Sequence, residues 1–298
     1  MKILVISDVE GIYEIRNYED IFNIEKCNRE AYEALLTLAR VCDASITFCD
    51  CHNNGGRSEK LSSIFPETTF VKDLWDINFE NKYDYSVLIG FHSKSGTADL
   101  FSHTFRDEIR NVQIGLKEVG ELEFFINLLN FFLIKTIFIS CNKYALYEVA
   151  KVDCKILSHC EKDNSKSIDE FYHCFRDELM DSIANADKYS SGSYMDGELR
   201  VSFKNNNLYK FLLSIGYESA SNQVVFYDTY SFYTNLKQLC YDINKYNYIR
   251  EIMRLIQGKK IQIFTLKKTF RYFTEEINKL STEELSTMLR YCTEHPSL

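Results

Sequence analysis

Four short apolar runs, Ile3–Ser7, Ser45–Cys49, Tyr85–Gly90 and Thr136–Ser140, constrain the fold of this chain more than any other feature. Each has the length and texture of a buried strand. Helical patterns separate them. Cys27–Val41 carries Ala31, Leu35, Leu38 and Ala39 at helical spacing, and a second helix is predicted from about Gly120 to Phe132. Strands alternating with helices predict an α/β fold: a largely parallel sheet with flanking helices. In open sheets of this kind, sites form beyond the carboxyl ends of the strands.

Those ends carry the chemistry. The first run leads into Ser7-Asp8-Val9-Glu10-Gly11, the second into Asp50-Cys51-His52, and the third into Gly90-Phe91-His92. Residues two apart on a strand face the same way, so Asp8 and Glu10 aim two carboxylates at one place. A buried carboxylate pair repels itself unless it is paired or bound to a metal. Taken singly, the acids read equally as a solvated strand exit, and a lone strand-end histidine reads as structural. If the strands are parallel neighbours, Asp8, Glu10, His52 and His92 converge. His103 in Ser102-His103 and Glu121 in Val119-Gly120-Glu121-Leu122 fit the same set. Carboxylates with imidazoles suit zinc, with manganese, cobalt or iron as alternatives. Several ligands with an Asp able to bridge suggest two metals.

Bulk properties narrow the function classes. A formal net charge of -8 gives a nucleic-acid partner no electrostatic support. The longest apolar stretch, Phe124 to Phe138, is interrupted by Asn127, Asn130 and Lys135, so no membrane span is expected. The N-terminal run is too short for a secretory signal. Ten scattered cysteines without repeated CxxC spacing indicate neither a zinc ribbon nor a disulfide framework. They fit reduced thiols and a cytoplasmic location. Cys51 could be a metal ligand or a thiol nucleophile, but reads better as a buried bystander.

The rest of the chain sets the expected organisation. Asn111–Ile114 and Glu118–Val119 flank Gly115 as a small hairpin. Ile168–Ala186 is helical, with Phe171, Phe175, Leu179 and Ile183 four apart. Leu199–Phe203 and Gln223–Tyr227 read as strands around a helix at Leu208–Ile215, and Thr229–Asn244 as a helix. The expected division is an α/β metal-binding domain over 1–160, a second, smaller α+β part over 161–245, and an appended helical C-terminal tail over 246–298. In the tail, Ser281 and Glu284 have capping-box spacing, and Leu285, Met288, Leu289 and Cys292 form a helical stripe.

The linked motifs resemble those of the DppA-type zinc D-aminopeptidases. The family's D-x-E-G is here Asp8-Val9-Glu10-Gly11, its D-x-H is Asp50-Cys51-His52, and its G-[YF]-H is Gly90-Phe91-His92. Ser102-His103 and Val119-Gly120-Glu121-Leu122 complete the set, and a weaker match runs to about residue 245. The resemblance implies Asp8, Glu10, His52, His92 and Glu121 as metal ligands, with Asp8 the bridge, and His103 as a catalytic residue. It implies two zinc ions per chain, a ring-like homo-oligomer, and release of N-terminal D-amino acids from short peptides through a metal-bound hydroxide.

Some positions depart from the family. Glu123-Phe124-Phe125 stands where it has small residues and an Asn. Ser140-Cys141-Asn142 replaces a G-D-D whose acids would suit a substrate amino group. Asn142 is the candidate substrate contact left there. Lys94 replaces an Arg and would hold a substrate carboxylate or a neighbouring acid. The sequence therefore supports a metal-dependent aminopeptidase, with a related amidohydrolase on a different amide, such as a peptide natural product, as the alternative. A non-catalytic oligomeric scaffold is the further alternative.

Overall fold

A computed structural model describes residues 1–52, 56–71, 73–81, 83–149, 152–159 and 167–257. The elements in chain order are β1 (Lys2–Ser7), α1 (Ile24–Val41), β2 (Ser45–Asp50), α2 (Gly56–Ile64), β3 (Thr69–Val71), β4 (Tyr85–Phe91), β5 (Ile109–Ile114), β6 (Lys117–Val119) and α3 (Glu121–Phe131). There follow β7 (Lys135–Asn142), α4 (Lys143–Val149), β8 (Lys155–His159), α5 (Ile168–Ala184), β9 (Leu199–Phe203), α6 (Asn206–Ser214), β10 (Ser219–Ala220), β11 (Gln223–Phe226) and α7 (Thr229–Gln257).

The main sheet has the order β3-β2-β1-β4-β7-β8, and every pairing in it is parallel. All four expected core strands are in it. The parallel α/β architecture predicted from strand and helix alternation is therefore the observed one. A second, antiparallel sheet has the order β10-β11-β9-β5-β6. Its β5–β6 hairpin turns at Gly115, whose φ is 60°. This sheet draws β5 and β6 from before residue 160 and β9 to β11 from after it.

Side-chain alternation along β1 sorts the core into two layers. Ile3 and Val5 pack with Ala31, Ala34, Leu35 and Leu38 of α1 and with Phe171, Phe175 and Leu179 of α5. Leu4 and Ile6 face the other way, into a larger core built with Phe124, Phe125 and Leu128 of α3, the second sheet, and Phe232 and Leu236 of α7. Both helices of the first layer begin at side-chain caps. The Asn23 side chain accepts from the amides of Glu25 and Lys26, and Ser167 with Glu170 forms a complete capping box. α7 is continuous from Thr229 to Gln257, with no break near residue 246. The stripe at Leu285–Cys292 and the Ser281–Glu284 cap lie outside the described residues.

β1 and β4 are the central pair, and the chain moves outward from them in opposite directions. This is the switch point at which an open parallel sheet leaves a crevice. Two glycines let the strand ends close on each other there. The Asp8 amide donates to Ile89 O at 2.8 Å and the Gly11 amide to Gly90 O at 2.8 Å. A Cβ on Gly11 would sit 1.8 Å from the Phe91 carbonyl oxygen. Gly90 has φ +72°, and a Cβ there would lie 2.4 Å from Asp8 O. No L side chain fits either place. The pairing of β4 with β7 is irregular between Leu88 and Phe91, and His92 follows directly, its Nε2 3.4 Å from Asp8 Oδ2.

Candidate metal centre

Asp8 and Glu10 leave β1, His52 follows β2, His92 follows β4, and Glu121 is the first residue of α3, after Gly120 as its N-cap. His103 comes from the loop between β4 and β5. All six converge. His52 Nδ1 lies 2.8 Å from Glu10 Oε2 and 3.6 Å from Asp8 Oδ1. His92 Nε2 lies 3.4 Å from Asp8 Oδ2 and 3.7 Å from Glu121 Oε1. His103 Nε2 lies 3.8 Å from Glu10 Oε1 and 3.9 Å from Glu121 Oε1, with its ring 4.3 Å from that of His92.

Hydrogen bonds orient two of the imidazoles. His92 Nδ1 pairs with Ser93 O at 2.8 Å and His103 Nδ1 with Phe101 O at 3.1 Å. A carbonyl oxygen only accepts, so each Nδ1 carries a proton, and each ring turns its Nε2 to the cluster. The His103 loop is itself pinned. Phe105 holds φ 60°, its amide donates to Glu121 Oε1, and its ring packs edge-on against Phe124.

The electrostatics are those of a site waiting for positive charge. Asp8, Glu10, His92 and Glu121 are buried, whereas the His52 and His103 side chains keep 21% and 22% of their surface exposed. Asp8 Oδ2 and His92 Nε2 are buried without a hydrogen-bond partner, and Glu10 Oε2 is buried against the His52 imidazole. Burial lowers the pKa of His52, but Asp8 and Glu10 beside it push it up to about 10. Burial likewise opposes the charge on His92, and Glu121 and Asp8 push it up to about 10. Burial would raise Asp8, yet His52 and His92 hold it well below the usual range. Burial and the Asp8 charge push Glu10 up.

Three groups of three have ligand atoms that all lie within 4.8 Å of one another: Asp8–Glu10–His52, Asp8–His92–Glu121 and Glu10–His92–His103. The first two share Asp8. An orphaned buried Asp8 oxygen, imidazole Nε2 atoms turned inward and mixed carboxylate–imidazole donors fit zinc.

A cavity of about 480 Å³ opens over the cluster, within the roughly 300–1,000 Å³ of small-molecule sites. Its floor includes Asp8, Glu10, His52, His103 and Glu121, and its walls come from Trp75, from Phe105–Glu108, and from Leu236 to Asn244 of α7. The α7 wall and Trp75 are not identifiable from motif reading. The chain has one tryptophan, and that rarity was the only signal available. Cys51 also lines the cavity. Its thiol donates to Ser7 O at 3.3 Å, and burial with nearby Asp8 and Glu121 pushes its pKa well up, which is the behaviour of a bystander.

Lys94 and Asn142 do not line this cavity. The Lys94 amide donates to Glu148 Oε1 and its ammonium lies 3.4 Å from Glu118 O, beside a separate cavity of about 620 Å³. Asn142 is buried, caps α4 by accepting from the amides of Tyr144 and Ala145, and donates to Asp99 Oδ2 at 2.7 Å.

Comparison with known proteins points the same way. Residues 70–173 match a family model described as D-aminopeptidase. No curated protein sequence matches. Among solved structures, the fold is similar to that of the Zn-dependent D-aminopeptidase DppA from Bacillus subtilis, described as a self-compartmentalizing protease. The TM-score is 0.69 at 17% identity, covering 82% of this chain and 98% of that one. The family match contains His92, His103 and Glu121 but stops short of Asp8, Glu10 and His52, which join them through the sheet. The resemblance read from the motifs thus holds: this chain is similar to the D-aminopeptidases in sequence over residues 70–173 and in fold over most of its length.

Proposed function

We propose that the protein is a zinc-dependent aminopeptidase that removes the N-terminal residue, of D configuration, from short peptides. The observation that carries this reading is the pair of ligand groups sharing Asp8 beneath an open cavity with His103 at its edge. In this reading Asp8, Glu10 and His52 hold one ion, and Asp8, His92 and Glu121 hold a second. When bound, such a pair supplies Lewis acidity toward the scissile carbonyl and lowers the pKa of an attacking water.

The chain's own groups do the rest. Asp8, common to both groups, would contribute to holding both ions. His103 Nε2 is free to take a proton, because Nδ1 is committed to Phe101 O. It then returns that proton to the departing amine as general acid. Leu74, Trp75, Phe105 and Leu236 line the cavity with apolar surface, which excludes competing water. The Glu121 carboxylate fixes the Phe105 backbone and so holds His103 in reach.

We extend the proposal to a cytoplasmic homo-oligomer. Eight described cysteines are free thiols, which a reducing compartment preserves. No helix among the described residues is long and apolar enough to cross a membrane. Phe131 and Tyr230 stack on each other while 42% and 38% exposed, and Leu133 beside them is 77% exposed, an apolar surface suited to a second copy.

The deciding experiment measures metal content together with hydrolysis of D-Ala-D-Ala and a panel of D- and L-aminoacyl amides, for the parent chain and His52→Ala. The expected result is about two zinc ions per chain and D-selective release that the substitution abolishes. Cleavage of N-blocked amides instead would establish the amidohydrolase alternative, which the absence of Lys94 and Asn142 from the cavity lining favours. A metal-free wild-type chain would sink the metal-centre reading.

A further inference from the structure

Arg57, near the start of α2, carries a guanidinium buried among the strand ends. Its contacts are unusual in reach. Nη1 donates to Asp50 Oδ1 at 2.8 Å and lies 3.4 Å from Asp8 O. Nη2 donates to Ser7 Oγ at 2.9 Å, and Nε donates to Asn28 Oδ1 of α1 at 3.3 Å. One rigid planar group therefore ties the ends of β1 and β2 to α1. Asp50 extends the tie, because Oδ1 also accepts from the His52 amide at 3.2 Å. Arg57 thus reaches the backbone of two candidate ligands, Asp8 directly and His52 through Asp50. None of these contacts involves the Asp8 carboxylate or the His52 ring.

We propose that Arg57, acting with Asp50, is the positioning residue of the metal centre. It fixes the ends of β1 and β2 so that Asp8 and His52 present to one ion. The inference rests on the metal-centre reading above. Two roles for Arg57 predict opposite signs. A cation near a cation site weakens binding by repulsion, so removing it would tighten zinc. A clamp strengthens binding, so removing it would loosen zinc. The Asp50 carboxylate at 2.8 Å neutralises most of the guanidinium's field, which leaves geometry to dominate. Lysine is no substitute for the clamp, since one ammonium on a flexible stem cannot span the four acceptors that the planar fork reaches.

The test is zinc affinity of the metal-stripped full chain, by competition with a chromophoric chelator. The variants are Arg57→Lys and the charge-neutral double variant Arg57→Met with Asp50→Asn, each checked for folding by circular dichroism. The expected result is a zinc Kd weakened roughly 10- to 100-fold in both, the usual effect of removing a group behind a ligand. A Kd within twofold of the wild type, or a tighter one, overturns the proposal. If one variant fails to fold, the other decides. If neither folds, Arg57 is purely structural and the proposal is overturned. Wild-type chain that binds no zinc removes the metal-centre reading as well, so the two failures are distinguishable.

Discussion

At the scale of single residues, backbone contact and charge set the expectations. Gly11→Ala drives a methyl into the Phe91 carbonyl, a backbone atom that cannot swing aside. Urea titration is expected to show a loss above about 3 kcal/mol, with zinc stoichiometry reduced in whatever folds. His103→Gln leaves five of the six clustered side chains in place. Turnover is expected to fall by at least about 100-fold, with zinc content unchanged by elemental analysis. Unchanged turnover would support the scaffold alternative. Glu30 of α1 is buried and accepts from the Tyr13 amide and Ser140 Oγ. Burial pushes its pKa up to about 7. A carboxyl raised in the folded state stabilises fully below its unfolded pKa, and that stability is lost as pH rises through the folded value. Thermal scans of Glu30→Gln should therefore show a gain over wild type that grows between about pH 4.5 and 7.

Among the elements, α7 decides the shape of the cavity. It is anchored by Phe232, fully buried against Phe105, Phe124 and Phe226. Truncating such a side chain costs about 3–5 kcal/mol. Phe232→Ala is expected to lose that much by denaturant unfolding. It should also raise KM more than it lowers kcat, because α7 forms a cavity wall while the ligands sit on other elements. An equal fall in kcat with KM unchanged would place Phe105, and through it His103, as the element that moved. α1 and α5 follow the apolar stripes read from the sequence, which depend on near neighbours in the chain, while the Asn23 cap starts α1 at Ile24, ahead of the expected Cys27. α2, β3 and β8 lack such local signatures. They form because the sheet edge and its faces have to be covered.

For the whole molecule, metal binding and stability are coupled. Without metal, His52 and His92 are charged well above neutral pH, with values pushed up to about 10. Their raised values stabilise the metal-free fold fully below about pH 6.5 and lose that contribution as pH rises through about 10. Asp8, held low, contributes above its ordinary range and loses this as pH falls. Zinc must displace the imidazole protons, so its affinity rises with pH over the same interval. Chelation is expected to lower Tm, and by more at pH 9 than at pH 6, as measured by scanning calorimetry with matched buffers. Proton release on zinc addition, read in weakly buffered solution, checks the same coupling.

The sequence by itself determined the four core strands, the parallel α/β class and six candidate site residues, because those depend on local periodicity and on side-chain chemistry at strand ends. Asp8, Glu10, His52, His92, His103 and Glu121 were all legible as candidates, and the described structure brings all six together. Lys94 and Asn142 are candidates only by their position relative to motifs, and position along the chain carries no information about which cavity a side chain reaches. Arg57, Phe105, Trp75 and the α7 wall were decided only by tertiary structure. Each acts through contacts with segments distant in sequence, such as Arg57 with Ser7 or Phe105 with Phe232. The closeness of β1 to β4 was likewise a tertiary outcome. The glycines were visible in the sequence, but the carbonyls they accommodate belong to the neighbouring strand. Periodicity is a property of neighbours along the chain, whereas a metal site is a property of neighbours in space.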